Sequence, residues 1–185
     1  MKTNYLTSLL IAVLLTATAL AENRTVVNEI NPQDFYRQAS TSPPKEISAK
    51  QLADWLANKS VVLIDLRAKE SFDHAHIRGA INLPIEALTS ERLKTLVPNS
   101  DSRIVVYCTN NFMPTRMIAL TTLGYPAIEQ LGYSNVHRLE DMWSSKSCRA
   151  AEKLAAQQGQ MDTAMDSGCE SLLPMDRAEK QPSAK

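Results

Sequence analysis

Cys108 closes the run Ile104-Val105-Val106-Tyr107, and Thr109-Asn110-Asn111-Phe112-Met113 follow it before Pro114. A β-branched run that ends in a thiol and gives way to a polar loop has a definite meaning in an open α/β sheet. Chemistry there collects outside the carboxyl ends of parallel strands, where the next helix presents unpaired N–H groups and the positive end of its dipole. A thiol so placed has reason to ionise. Free cysteine titrates near pH ~8.5, and lowering that by about two units takes roughly 2.7 kcal/mol, within reach of a helix N-terminus plus loop amides. Cys108 is therefore the candidate nucleophile, expected to be charged and reachable from solvent. The competing reading, a buried inert cysteine, is a common fate of the residue. Its position at a strand end before a proline argues for function.

The flanking sequence supplies the scaffold. Ser48-Ala49-Lys50-Gln51 has the form of a capping box, with Leu52, Trp55 and Leu56 following at helical spacing as core positions. Val61-Val62-Leu63-Ile64 is a continuous apolar run, as in a strand covered on both faces of a parallel sheet, and it ends in Asp65-Leu66-Arg67. A short helix over 69–74, a turn at Gly79 and a short strand over 80–83 stopped by Pro84 come next. A further helix turns Leu88, Leu93 and Leu96 inward. Beyond Cys108, Pro114 suits the first position of a helix, and Met113, Met117 and Leu120 recur as core filling toward a C-cap at Gly124. Pro126 bars continuation, so 127–131 reads as a last short strand and Ser134 as the cap of a helix carrying Val136, Leu139 and Trp143. Strands alternating with helices predict an α/β domain with a central parallel sheet flanked by helices on both faces.

Composition narrows the rest. Basic and acidic residues balance at 20 each, and removing Lys2 with residues 1–21 leaves 19 against 20, a net of −1. No basic field would attract nucleic acid or an anionic membrane. Lys2, the apolar stretch Leu9 to Leu15 and the small-x-small ending Ala19-Leu20-Ala21 read as a cleaved signal peptide over 1–21. The mature chain is then expected to be periplasmic or secreted, with no membrane association after cleavage. A polar leader covers 22–45, the domain 46–147, and a partly helical, loose tail 148–185. In an oxidising compartment cysteines tend to pair, and there are 3. Either Cys148 and Cys169 pair and Cys108 stays free, or Cys108 pairs with a tail cysteine; the spacing leaves both open. Asp65 and Arg67 at a strand end read as an ion pair that supports the loop. His74 and His76 lack a third ligand at recognisable spacing, so no metal is expected.

The residues Ile64-Asp65-Leu66-Arg67, Glu70, Phe72, His76-Ile77, Gly79-Ala80-Ile81-Asn82-Leu83-Pro84, Val105-Val106-Tyr107-Cys108 and Gly124-Tyr125 resemble the rhodanese-like domain. The resemblance runs from about residue 46 to 143, and a signal peptide before one such domain is similar to the small periplasmic rhodaneses. It implies a sulfurtransferase without cofactor, in which Cys108 takes a sulfane sulfur as a persulfide. The sulfur would pass from a small donor to cyanide, a thiol or a protein acceptor. Backbone N–H groups of Thr109, Asn110, Asn111, Phe112 and Met113 would hold the anion.

This chain departs from the family pattern in the loop. Members commonly carry glycine and arginines there; here the nearest arginine is Arg116, a candidate donor contact. Asn110 and Asn111 can adopt left-handed backbone, which would partly replace the missing glycine. Ala75 stands where glycine is common before the histidine. The Gly-Gly expected after the last strand reads Gly132-Tyr133, which would bring Tyr133 to the site. A second register instead takes Gly132-Tyr133 as the family's Gly-Tyr, with extra residues after Cys108; the shorter register is preferred. Two other functions compete: a catalytically silent rhodanese-fold module that binds a partner protein, and a thiol-redox protein using Cys108 with Cys148 or Cys169.

Overall fold

The central strand is where its composition puts it. In the computed structural model of the chain, which describes residues 43–146, 148–150, 153, 169 and 172–178, β5 (Ile104–Tyr107) is buried along its whole length. It pairs in parallel with β2 (Val62–Asp65) on one side and β6 (Val136–Leu139) on the other. Two short strands, β1 (Glu46–Ile47) and β4 (Ile81–Asn82), complete a parallel sheet of order β1-β6-β5-β2-β4. Side chains alternate across the sheet. Ile104 and Val106 enter one core with Ile64, Leu93, Tyr125 and Ile128. Val105 and Tyr107 enter the other with Leu63, Ala49 and Leu52. The second core lies under α1 (Ala49–Ala57), whose N-cap Ser48 accepts from Gln51 N–H as its sequence predicts. The first lies under α3 (Ser90–Leu96) and α4 (Leu120–Gln130). The sheet is thus covered by helices on both faces, as expected. Between β2 and β4 run α2 (Lys69–His74) and β3 (Ala75–Ile77), followed by Gly79 in the left-handed region at φ +86°.

The structure corrects the reading of 113–139. No helix starts at Pro114; residues 112–119 are a loop, and Met113 and Met117 are exposed rather than core filling. One helix, α4, then runs through both Gly124 and Pro126. Gly124 is no stop: a Cβ there would come within 2.5 Å of a Leu66 methyl, so the glycine serves close approach of helix to strand end. Pro126 lacks one N–H, yet Tyr125, Pro126, Ala127 and Ile128 are all buried, and tertiary packing outweighs local propensity. The region 127–131 is therefore helix, not strand. Val136 and Leu139 lie on β6, not on a helix capped by Ser134; a four-residue element is too short for its period to be read. The second register is the one the fold takes. Gly132, at φ +94°, and Tyr133 follow α4, and Asn135-Val136 leads into the sheet. Tyr133 is buried on the α3 side, its hydroxyl donating to Val97 O at 2.7 Å, away from a role at the cysteine loop. Leu96, expected inside, is 36 % exposed at the end of α3.

The described end of the tail is tied to the domain. β7 (Met175–Arg177) pairs antiparallel with β3, and Leu173 is buried in the core with Tyr107 and Leu139. Cys148 and Cys169 form a disulfide and Cys108 is the free cysteine, which resolves the pairing left open by spacing. Reducing this bond, or replacing both residues by serine, is expected to destabilise the fold by about 3 kcal/mol, from loop-closure entropy over a sequence separation of 21. Urea denaturation with and without a reductant reads the difference. Residues 1–21, expected as a signal peptide, nearly all of the expected leader 22–45 and most of the expected tail 148–185 lie outside the described residues.

Candidate active site

Cys108 stands at the carboxyl end of β5, on the sheet edge where the loops after parallel strands gather. Its backbone is extended, and a single 3-10 turn (Thr109–Asn111) starts at once. Contrary to the expectation of a solvent-reachable sulfur, Cys108 is 1 % exposed. The Cys108 thiol meets the side chain of Asn110, with Sγ at 3.9 Å from Oδ1.

Asn111 is the fixed point of the loop. Fully buried, it forms a capping box with Cys108, accepting the Cys108 N–H on Oδ1 at 2.7 Å. Its Nδ2 donates to Leu139 O at 2.6 Å and Glu140 O at 3.3 Å, which ties the cysteine loop to the end of β6. Asn111→Ala would leave a buried N–H and a buried carbonyl unpaired. Each such loss costs roughly 1–3 kcal/mol, so a destabilisation of about 2–4 kcal/mol is expected in urea melts.

The loop amides are partly spent on the loop itself. Asn111 N–H donates to Cys108 O, while Phe112 and Met113 N–H both donate to Thr109 O. Among the described residues the Thr109 and Asn110 N–H groups have no acceptor, the usual unpaired donors at a helical start, and the Asn111 N–H also reaches Cys108 Sγ as its half of the capping box. Of the five residues proposed to line an anion cradle, these three have N–H groups for it. Arg116 sits on the exposed part of the loop, without a partner among the described residues.

Asp65 and Arg67 form a buried ion pair beneath this loop. Arg67 donates from Nε and Nη2 to both carboxylate oxygens at 2.6–3.0 Å, and from Nη2 to Ala75 O at 2.7 Å. The guanidinium lies 5.3 Å from the Phe112 ring centroid and 5.7 Å from that of Tyr107. Burial first, and then the neighbouring Asp65 carboxylate, push the Tyr107 hydroxyl well above its ordinary range, so it stays protonated. It accepts from Ile77 N–H at 3.2 Å. His76 stacks on Phe72 at 3.8 Å and bonds Phe72 O through Nδ1, while His74 is exposed. Among the described residues no group of His, Cys, Asp and Glu could hold a metal ion.

Trp143, expected on a helix face, belongs to the site instead. It lies in a 3-10 turn after β6 and donates Nε1–H to Asn110 O at 3.0 Å. An isolated tryptophan shortly after the last strand was the only signal. A cleft of about 260 Å³ lined by Lys59, Ser60, Val61, Val62, Ser102 and Arg103 lies at the opposite, amino ends of β2 and β5, remote from the thiol.

With this geometry in view, comparison with known proteins is informative. The model of the Rhodanese-like domain family matches residues 48–145. Thiosulfate sulfurtransferase PspE of Escherichia coli (strain K12) is 33 % identical over 70 residues, 37 % of this chain and 66 % of that protein. The chain therefore spans just under two thirds of that relative. The solution structure of the rhodanese-like domain of the Anabaena sp. Alr3790 protein is 18 % identical, covering 78 % of this chain and 88 % of that one, with a TM-score of 0.48. The human single-domain sulfurtransferase TSTD1 is 20 % identical over 54 % of this chain and 91 % of that one, with a TM-score of 0.42.

Proposed function

We propose, from the premise that this chain belongs to the rhodanese-like domain family, that it is a sulfurtransferase carrying a sulfane sulfur on Cys108. The observation that carries this reading is the placement of the free thiol. Cys108 ends the central parallel strand, whereas the other two cysteines are committed to a disulfide. In the forward step the Cys108 thiolate attacks the outer sulfur of a donor such as thiosulfate. A new S–S bond forms, the donor's S–S bond breaks, and sulfite leaves with the electron pair. The terminal sulfur of the persulfide, now anionic, is held by the Thr109 and Asn110 amides. Cyanide or a thiolate then attacks that sulfur and Cys108 leaves as thiolate. Phe112, Met113 and Arg116 line the outer approach, and Arg116 meets the charge of an anionic donor. Asn111, together with Asp65 and Arg67, supports the loop.

A periplasmic or secreted setting fits the signal-peptide reading and the tail disulfide, which persists in oxidising compartments. The second reading, a silent partner-binding module, draws on one observation: Cys108 is 1 % exposed. Intact mass after incubation with thiosulfate or a polysulfide separates the two. A gain of one sulfur, reversed by cyanide and confined to Cys108 by peptide mapping, supports transfer. An unchanged mass with every donor supports the module.

A further inference from the structure

We propose that Asn110 is a positioning residue that sets access to the Cys108 thiol, and that loop 109–119 is a latch pinned by Trp143. This deepens the transferase reading and rests on it only for what the opened thiol does. Each polar group of Asn110 points to a different anchor. Oδ1 faces Cys108 Sγ at 3.9 Å; Nδ2 donates to Thr115 Oγ1 at 2.8 Å and Met117 O at 3.3 Å; the main-chain carbonyl accepts from Trp143 Nε1 at 3.0 Å. One side chain therefore meets the sulfur and organises the rest of the loop.

The anchors differ in strength. Asn111, the next residue, is buried and bonded to the end of β6, so the base of the loop stays in place. Beyond it, Met113, Met117 and Ile118 are 54 %, 80 % and 60 % exposed, and Trp143 is 45 % exposed. The bonds that hold Asn110 down lie at the solvent boundary, where water replaces them at small cost. The loop opens from Asn110 outward, leaving Asn111 and the sheet untouched. In the closed state the carboxamide oxygen faces the sulfur and the Asn111 N–H also reaches it, so an electrophile meets the thiol only after the Asn110 side chain has moved aside.

The rate of Cys108 alkylation by iodoacetamide in the full chain, with its disulfide intact, tests this. Wild-type Cys108 should react on the order of 100-fold more slowly than a small free thiol, at a rate flat in low urea, as local opening requires. Asn110→Ala and Trp143→Phe, the latter keeping the ring but losing the N–H, should react about tenfold and about threefold faster with unchanged denaturation midpoints. Asn110→Asp, which sets a carboxylate against the sulfur, should move the pH profile of alkylation upward, a change that a merely structural residue would not produce. Wild-type rates in the two opening variants, free-thiol reactivity in the wild type, or a steep urea dependence would each overturn the latch. Sulfur loading followed by mass in the same samples keeps the two ideas apart. Equal loading rates in all variants would refute the latch and leave the transferase standing. The latch pattern in alkylation with no sulfur gain would do the reverse.

Discussion

Replacing Cys108 by serine is expected to abolish sulfur loading, with a fall of at least ~1000-fold in donor-dependent thiocyanate formation. The reason is chemical. A sulfur nucleophile displaces sulfite from thiosulfate because thiolate is both available near neutral pH and intrinsically reactive toward sulfane sulfur. A serine hydroxyl ionises far above neutral pH and forms no stable bond of the same kind. The substitution removes one atom's identity and little volume, so the fold should survive it. Cys108 N–H still donates to Asn111 Oδ1, since that bond uses the backbone. Cys148 and Cys169, already joined, offer no substitute thiol. Thiocyanate assays paired with circular dichroism and a urea melt check both halves of the expectation. Equal turnover in Cys108→Ser would place the chemistry elsewhere, and turnover absent in both proteins would favour the silent module.

The largest expected effect on stability falls on Asp65. Its carboxylate is fully buried, and Arg67, 12 % exposed at its side chain, holds it at 2.6 Å. Asp65 also accepts the Arg67 main-chain N–H at 2.9 Å, so it shapes the turn after β2 as well as neutralising a charge. Asp65→Ala would leave a largely buried guanidinium without its counter-ion, and about 3–5 kcal/mol of destabilisation is expected. Against a typical total of ~5–15 kcal/mol that is a large fraction. Arg67→Met in the same background should restore part of it, because an apolar side chain of similar length needs no partner. Urea midpoints of wild type, Asp65→Ala and the double variant measure this; a loss below ~1 kcal/mol in the single variant would show that water reaches the pair. Sulfur loading in Asp65→Ala, measured below its denaturation midpoint, should persist, since Asp65 supports the loop without touching the reacting sulfur.

Much of the fold is legible in residue order. Continuous apolar runs ending in Asp65 and Cys108 fit strands covered on both faces, and both pair at the centre of the sheet. Ser48 caps α1 in the way its spacing with Gln51 implies. Where the reading failed, punctuation was mistaken for an ending. Gly124 and Pro126 are ordinary stop signals, yet both sit inside α4 because the first lets the helix approach Leu66 and the second is buried among core neighbours. Val136 and Leu139, three apart, fit a helix turn as well as the two ends of a short strand. Only the gap between β1 and β5 decides for the strand.

At the site the division is similar. The sequence by itself determined that a cysteine ends the central strand, that Asp65 and Arg67 pair beside it, and that the chain is an α/β domain of the rhodanese-like kind. The first two follow from local composition and short spacing, and the third from the resemblance of its motifs to that family. Tertiary structure alone decided that Cys148 joins Cys169, that Asn111 is a buried tie to β6 rather than a lining residue, and that Asn110 meets both the sulfur and Trp143. Those contacts join residues far apart in the chain, or depend on which way a short polar side chain turns, and neither is written in the order of the amino acids.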